Sequence, residues 1–214
     1  MGEHIIHILS FIGISAFSAS GAMVGIKKGA DIFGIMLLAS VTATGGGVLR
    51  DVLLGTFPPY IFLNPNYIII AVLISVSLFL LAYIFPLKYQ EKSDYIEKAN
   101  NIFDAIGLGI FVALGTQTAM EQGFSKNMFL SVAIGTITGV GGGFLRDIMV
   151  LRVPMILRKD IYASAAILGG TVFYLLQILS VNYGASLLIS SVTTFALRMF
   201  ATYFKWNLPK IYFI

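Results

Sequence analysis

The sequence predicts an all-α integral membrane protein with seven transmembrane helices, arranged as two inverted three-helix repeats plus a C-terminal helix. Three observations carry this reading. Of the 214 residues, 57% are hydrophobic and 11% charged, with a mean hydropathy of +0.89; an ordinary soluble domain has about 25% charged residues. A water-soluble fold could not place that much apolar sequence in one core. Hydropathy also marks seven runs near the roughly 20 residues that cross a bilayer. Finally, a seven-residue motif occurs twice, at residues 45–51 and 141–147.

The seven helices are expected at about residues 5–26, 31–56, 66–86, 99–119, 124–150, 160–180 and 184–205. The first follows Met1-Gly2-Glu3-His4, an acidic start unlike the basic n-region of a signal peptide. Its apolar run is also too long for a signal h-region, so this helix is expected to be retained. A myristoylation motif needs Ser or Thr at position 6, where Ile6 stands. The polar stretch from Lys88 to Asn101, containing Lys88, Glu91, Lys92, Asp94, Glu97 and Lys98, reads as the connection between helices three and four. It divides the chain into a first repeat (1–87), a linker (88–98), a second, inverted repeat (99–182) and the seventh helix with its tail (183–214). Near the C-terminus, Tyr203, Phe204, Trp206 and Tyr212 read as an interfacial aromatic belt.

Topology follows from the cations. Lys27, Lys28, Lys88, Lys92, Lys98, Arg152, Arg158, Lys159, Lys205 and Lys210 fall on one side, while the other has Lys126 as its loop cation, opposed by Glu3 and Glu121. The positive-inside rule then puts the N-terminus outside and the C-terminus in the cytoplasm of a multi-pass cell-membrane protein. The same bias accounts for the net charge of +4 without nucleic acid as a partner.

The motif reads Gly45-Gly46-Gly47-Val-Leu-Arg50-Asp51 and Gly141-Gly142-Gly143-Phe-Leu-Arg146-Asp147, an offset of 96. The same offset pairs Ser40 with Thr136, Thr42 with Thr138 and Pro58 with Pro154. An offset of 94 pairs Phe17 with Phe111 and Gly21 with Gly115, so a two-residue insertion is expected in the connection between helices four and five. Three helices per repeat reverse the direction of entry, so the halves are inverted and helices two and five run antiparallel.

Three successive glycines cost about 1 kcal/mol each relative to Ala in a helix. Two readings account for them: hinges that break the helix and free carbonyls toward a wet path, or small residues that let helices two and five cross closely. Arg50, Asp51, Arg146 and Asp147 lie in or at the ends of apolar spans, where charges need partners or water. Neighbours on a helix point about 100° apart, so each Arg is expected to pair with another helix rather than with its own Asp. Interfacial anchoring is the alternative. Ser40, Thr42, Thr44, Thr136 and Thr138 could replace part of an ion's hydration shell or bond only the preceding turn. Ser15, Ser18, Ser20, Thr116, Gln117 and Thr118 are weaker lining candidates, and Asp104 stands near the inner end of helix four as a dipole partner or an ion site.

Catalytic and metal sites are not expected. There is no cysteine, no Ser-His-Asp or His-Glu-x-x-His constellation, and neither triplet continues into the Lys-Ser/Thr of a phosphate loop. His4 and His7 lack a third ligand nearby. Gly21 with Gly25, Ala165 with Gly169 and Ala166 with Gly170 are helix-packing patterns that could also serve a subunit contact.

With its duplicated Gly-Gly-Gly-x-Leu-Arg-Asp motif, each copy followed by a proline (Pro58, Pro154), the chain resembles the prokaryotic branch of the trimeric intracellular cation channel family, long catalogued as carrying two "glycine transporter" domains. The resemblance spans residues from about 5 to 205. It implies a homotrimer whose subunits each hold a potassium-permeable, weakly selective pore bounded by helices two and five, with hinges at Gly45 to Gly47 and Gly141 to Gly143. Potassium or sodium would be the permeant ion, with no cofactor. Animal members bind acidic phosphoinositide near the subunit interface; their basic residues do not carry over, and bound lipid at such interfaces is a general expectation only. Inverted repeats suit a secondary transporter of a small solute such as glycine as well, and that is the alternative function.

Overall fold

The computed structural model describes residues 2–87, 93–158 and 161–206, and among them helices and turns alone. Lys88, Glu91 and Lys92 of the linker, with Lys159, Lys210 and Tyr212, lie outside the described residues. Seven helices are long and apolar enough to cross a membrane: α1 (Gly2–Lys27), α2 (Ile32–Leu53), α3 (Asn66–Ile84), α4 (Ser93–Ala119), α5 (Met128–Met149), α6 (Ile161–Ile178) and α7 (Tyr183–Tyr203). One-turn helices, Tyr60–Leu63 and Met155–Arg158, precede α3 and α6. The helix expected at 31–56 ends at Leu53, where Gly55 takes positive φ and turns the chain, and the one expected at 124–150 begins only at Met128, after the positive φ of Gly123 and the Asn127 cap.

The repeat is visible in the packing. α1 packs on α2 and α3, and α4 packs correspondingly on α5 and α6. The halves join through α1 against α4 and α2 against α5. α4 is the most buried span and α3 the most apolar and least buried, as expected of a central helix and a lipid-facing one. α7 has no counterpart and lies on α4 and α6. The N-caps correspond too: Asp31 accepts from the Gly34 amide (2.7 Å) and Asn127 from that of Leu130 (3.0 Å). The insertion between the repeats lies immediately before Asn127. Gly29 and Gly123, an offset of 94, both take positive φ, whereas Asp31 and Asn127 are 96 apart. The extra residues follow a π-helical turn, Met120–Phe124.

Both helices run unbroken through their glycine triplets. Of the two readings of the triplets, this conformation displays the close crossing: both helices stay continuous without unwound carbonyls, and the middle glycines lie at the contact. A Cβ on Gly46 would strike the Thr138 carbonyl oxygen, and one on Gly142 would strike that of Thr42. A Cβ on Gly45 would lie 2.7 Å from Leu145 Cδ1, and one on Gly141 would lie 2.9 Å from Leu49 Cδ1. Gly47 faces open space. A Cβ on Gly21 would lie 2.7 Å from the Ala39 Cα, and one on Gly169 would strike Thr194, so these small residues pack within the subunit.

The three glycines should differ in tolerance. Gly46→Ala and Gly142→Ala force backbone apart and are expected to cost at least about 1–3 kcal/mol, lowering the melting temperature in detergent. Gly47→Ala should leave it unchanged; equal losses at all three positions would contradict the crossing described here.

Candidate functional site

Two cavities enter the molecule from opposite ends and share no lining residue. The first, on the side of the N-terminus, has a volume of about 390 Å³ and is lined by Ser10, Thr44, Gly47, Arg50, Thr118 and Glu121, among others. The second, on the Lys27 side, has a volume of about 670 Å³ and is lined by Lys27, Lys28, Glu97, Asn100, Arg152 and Met155, among others.

Two residues of α1, Phe17 and Ser20, contact the walls of both. Phe17 and Phe111, equivalent residues of the two repeats, stack on one another with ring centroids 5.3 Å apart; Phe111 lines the first cavity while Phe17 is buried. Phe17 lies directly over Gly107, where a Cβ would collide with its ring. About one turn along α1 from Phe17, Ser20 meets Arg146, which is 1% exposed. Its Nη1 donates to Asp104 Oδ1 (2.8 Å) and to Ser20 Oγ (2.6 Å), and its Nε donates to Asp147 Oδ1 (3.0 Å). Ser20 passes its own proton to Asn100 Oδ1 (2.8 Å), a wall of the second cavity.

Each motif Asp works in two directions. Asp51 Oδ1 accepts from Arg50 Nε (2.8 Å) and its Oδ2 from the Tyr60 amide (2.9 Å). Asp147 likewise binds Arg146 and the Met155 amide (2.9 Å). The expectation that each Arg avoids its neighbour is corrected: the long guanidinium stem folds back over the last turn, and the carboxylate ties it to the following one-turn helix. Arg146 adds the partner on another helix, Asp104. The carboxylate that sequence placed at the end of helix four is thus one wall of a buried ion-pair cluster.

The first repeat lacks that wall. Ser10, 94 residues before Asp104, occupies the equivalent place and lines the first cavity. Arg50 keeps Asp51 (2.7 Å) and a long contact to Thr118 Oγ1 (3.4 Å), and its side chain is 16% exposed. The structure therefore brings Thr44, Gly47, Arg50 and Asp51 to a cavity and seals Gly143, Arg146 and Asp147 away from one.

Among the hydroxyls, Ser40, Thr42, Thr44, Thr136 and Thr138 all donate to the carbonyl four residues earlier, at 2.6–2.9 Å. Thr42 and Thr138 are fully buried at the crossing, and Thr44 faces the first cavity. Gln117 and Thr118 line that cavity as well, whereas Thr116 and Ser18 are buried and bonded to their own helices. Ser15 faces an apolar groove between α1 and α3.

Sequence reasoning missed Tyr162 and Arg198. Tyr162 is buried beside the cluster; a Cβ on Gly143 would lie 3.1 Å from its hydroxyl and 3.5 Å from Asp104 Oδ1. Arg198 of α7, 3% exposed, sits over the Tyr162 ring at 5.2 Å and donates to Thr202 Oγ1 (2.8 Å). A lone Arg in an apolar span was the available signal. With two arginines and two aspartates the cluster is formally neutral, which limits its cost in a low-dielectric interior. Among the described residues, no group of three His, Asp or Glu side chains is placed to hold a metal.

The sequence profile of the family described as "Glycine transporter" matches twice, over residues 7–83 and 101–177. The chain belongs to this family, the prokaryotic TRIC family. Its relatives include the inner membrane protein YadS of Escherichia coli, 31% identical over 96% of this chain and 95% of that protein. The membrane protein YvgT of Bacillus subtilis is 35% identical over 94% of each. Among solved structures, the crystal structure of a prokaryotic TRIC channel in 0.5 M KCl superposes with a TM-score of 0.86 at 36% identity, covering 96% of this chain and all of that one. A structure described as the basis for conductance through TRIC cation channels gives 0.84 at 38% identity, covering 97% and 98%. The TRIC trimeric intracellular cation channel orthologue of Rhodobacter sphaeroides gives 0.83 at 30% identity, covering 94% and 99%. The chain is thus a multi-pass, membrane-embedded member of a non-enzymatic family.

Removing one carboxylate leaves Arg146 with Asp147 alone and gives the buried cluster an unbalanced positive charge. Asp104→Asn is expected to destabilise by about 3–5 kcal/mol, read as a lower melting temperature in detergent, and adding Arg146→Gln should recover part of the loss. Additive losses in the double variant would contradict the pairing.

Proposed function

We propose that this chain is a passive cation channel, permeable to potassium and sodium, with a pore inside each subunit and no requirement for a cofactor. The observation that carries this reading is the pair of cavities entering from opposite ends, Phe111 in the wall of one and Asn100 in the wall of the other, with Phe17 and the Ser20–Arg146 pair in contact with those walls. In this account the described conformation is shut. Opening requires those rings to part and Arg146 to leave Ser20, so that Thr44, Thr118 and Asn100 border one continuous path. The triplets act as hinges in a limited sense: α2 and α5 pivot about the Gly46–Gly142 contact, and Gly47 leaves one flank free of neighbours.

Likeness to structures described as TRIC cation channels supports conduction, and the trimer named for the Rhodobacter sphaeroides orthologue supports a homotrimer here. The cation-rich Lys27 side suits the cytoplasm and supports an orientation with the N-terminus outside and the C-terminus inside. Lipid bound between subunits belongs to the same proposal. The description "Glycine transporter" favours one alternative, a secondary transporter working by alternating access of the same two cavities.

Purified protein in planar bilayers should give stepwise potassium currents, unaffected by glycine. Saturable glycine uptake with counterflow and no current from folded protein would support the transporter instead. Gly47→Ala, which meets no neighbour, tests the hinge separately from packing: open probability should fall at least about threefold with the melting temperature unchanged.

A further inference from the structure

The inverted repeat makes the two cavities equivalent places in the fold, yet their charges are reversed. At an offset of 94, Glu121 corresponds to Lys27, Gln122 to Lys28 and Gly123 to Gly29, both glycines having positive φ. At an offset of 96, Thr56 corresponds to Arg152. The correspondence is structural as well, because the Thr56 amide donates to the Asp51 carbonyl (2.8 Å) and the Arg152 amide to the Asp147 carbonyl (2.9 Å). Glu121, Gln122 and Thr56 line the first cavity, and Lys27, Lys28 and Arg152 line the second.

The first mouth is closed over by neutral groups: Gln122 Nε2 donates to Thr56 Oγ1 at 2.9 Å. The corresponding pair at the second mouth, Lys28 and Arg152, carries like charges and has no such bond to make. Within the first cavity Arg50 is offset by Asp51, leaving the negative charge of Glu121. That carboxylate is held by Gln117 Nε2 (2.8 Å) and the Tyr183 hydroxyl (3.4 Å). In the second, Lys27 is paired with Glu97 at 2.6 Å, leaving Lys28 and Arg152 positive.

We propose that the open pore rectifies, passing cations more readily from the Glu121 mouth to the Lys28–Arg152 mouth than in the reverse direction. The inference rests on the channel reading above. A mouth with excess negative charge concentrates cations at its entrance, and one with excess positive charge depletes them. Permeant-ion supply therefore differs between the ends although the chain between them is pseudo-symmetric. On the orientation proposed here, inward cation current exceeds outward.

Single-channel recording in symmetric 0.1 M KCl tests this. The chain has no cysteine, so Gln122→Cys with an impermeant thiol reagent identifies which bath faces the Glu121 mouth. Conductance for potassium entering there should be about twofold that of the opposite polarity. The ratio should approach one in 1 M KCl, where the screening length falls from about 10 to about 3 Å. Lys28→Gln with Arg152→Thr, which removes the excess positive charge of the second mouth, should lower the ratio toward one at 0.1 M, and Glu121→Lys should lower conductance from its own side. Equal conductance at both polarities in the unaltered protein at 0.1 M overturns the inference and leaves the channel standing. Absence of any cation current from folded protein overturns the channel reading and the inference together.

Discussion

The backbone contact between α2 and α5 sets the spacing of everything else. Thr138 carbonyl oxygen lies against Gly46 and Thr42 carbonyl oxygen against Gly142, so the two helices touch without an intervening side chain. In a bilayer there is little hydrophobic drive to bring helices together, and close van der Waals approach at small residues takes its place. From that point the motif runs outward in both directions. Four residues beyond each middle glycine comes an arginine, and next an aspartate that binds both the arginine and the amide opening the next short helix. One crossing therefore fixes two charged ends, two connections and two cavities.

The ends are not equally closed. Asp104 and Ser20 complete a shell around Arg146 that excludes solvent, while Ser10 and Thr118 leave Arg50 partly open to a cavity. Charges buried in a membrane protein are costly unless paired, and the neutral grouping of Arg146, Arg198, Asp104 and Asp147 meets that condition by drawing on α4, α5 and α7. The seventh helix, outside the repeat, contributes Arg198 against Tyr162. This gives α7 a structural reason to pack on the second half.

The inverted repeat was legible because the motif is nearly identical in both halves and carries glycines that an apolar helix does not need for lipid contact. The fate of those glycines was not. Hinge and crossing make the same demand on sequence, a run without side chains, and only the positions of Thr42 and Thr138 across the gap distinguish them. The pairing of Arg50 and Arg146 with their own neighbouring aspartates was not legible, because angular separation on a helix ignores the reach of the side chain. The part played by Asp104 was hidden in distance along the chain: its partner lies 42 residues away, and Ser20 lies 126 residues from Arg146. Charge reversal between the mouths was written in the alignment of Glu121 with Lys27, but it gains meaning only once both residues line cavities.

In the channel proposed here, Ser20, Arg146 and the stacked phenylalanines form the barrier between two half-paths. Because the chain lacks cysteine, a single Ser20→Cys substitution places one thiol in that barrier. Its reaction with a small charged methanethiosulfonate, followed during current recording, reports directly on access. The account predicts reaction from the Lys27 side only while the channel is open, with loss of current as the thiol is modified. Equal reaction rates in shut and open protein, or full modification with undiminished current, would contradict it.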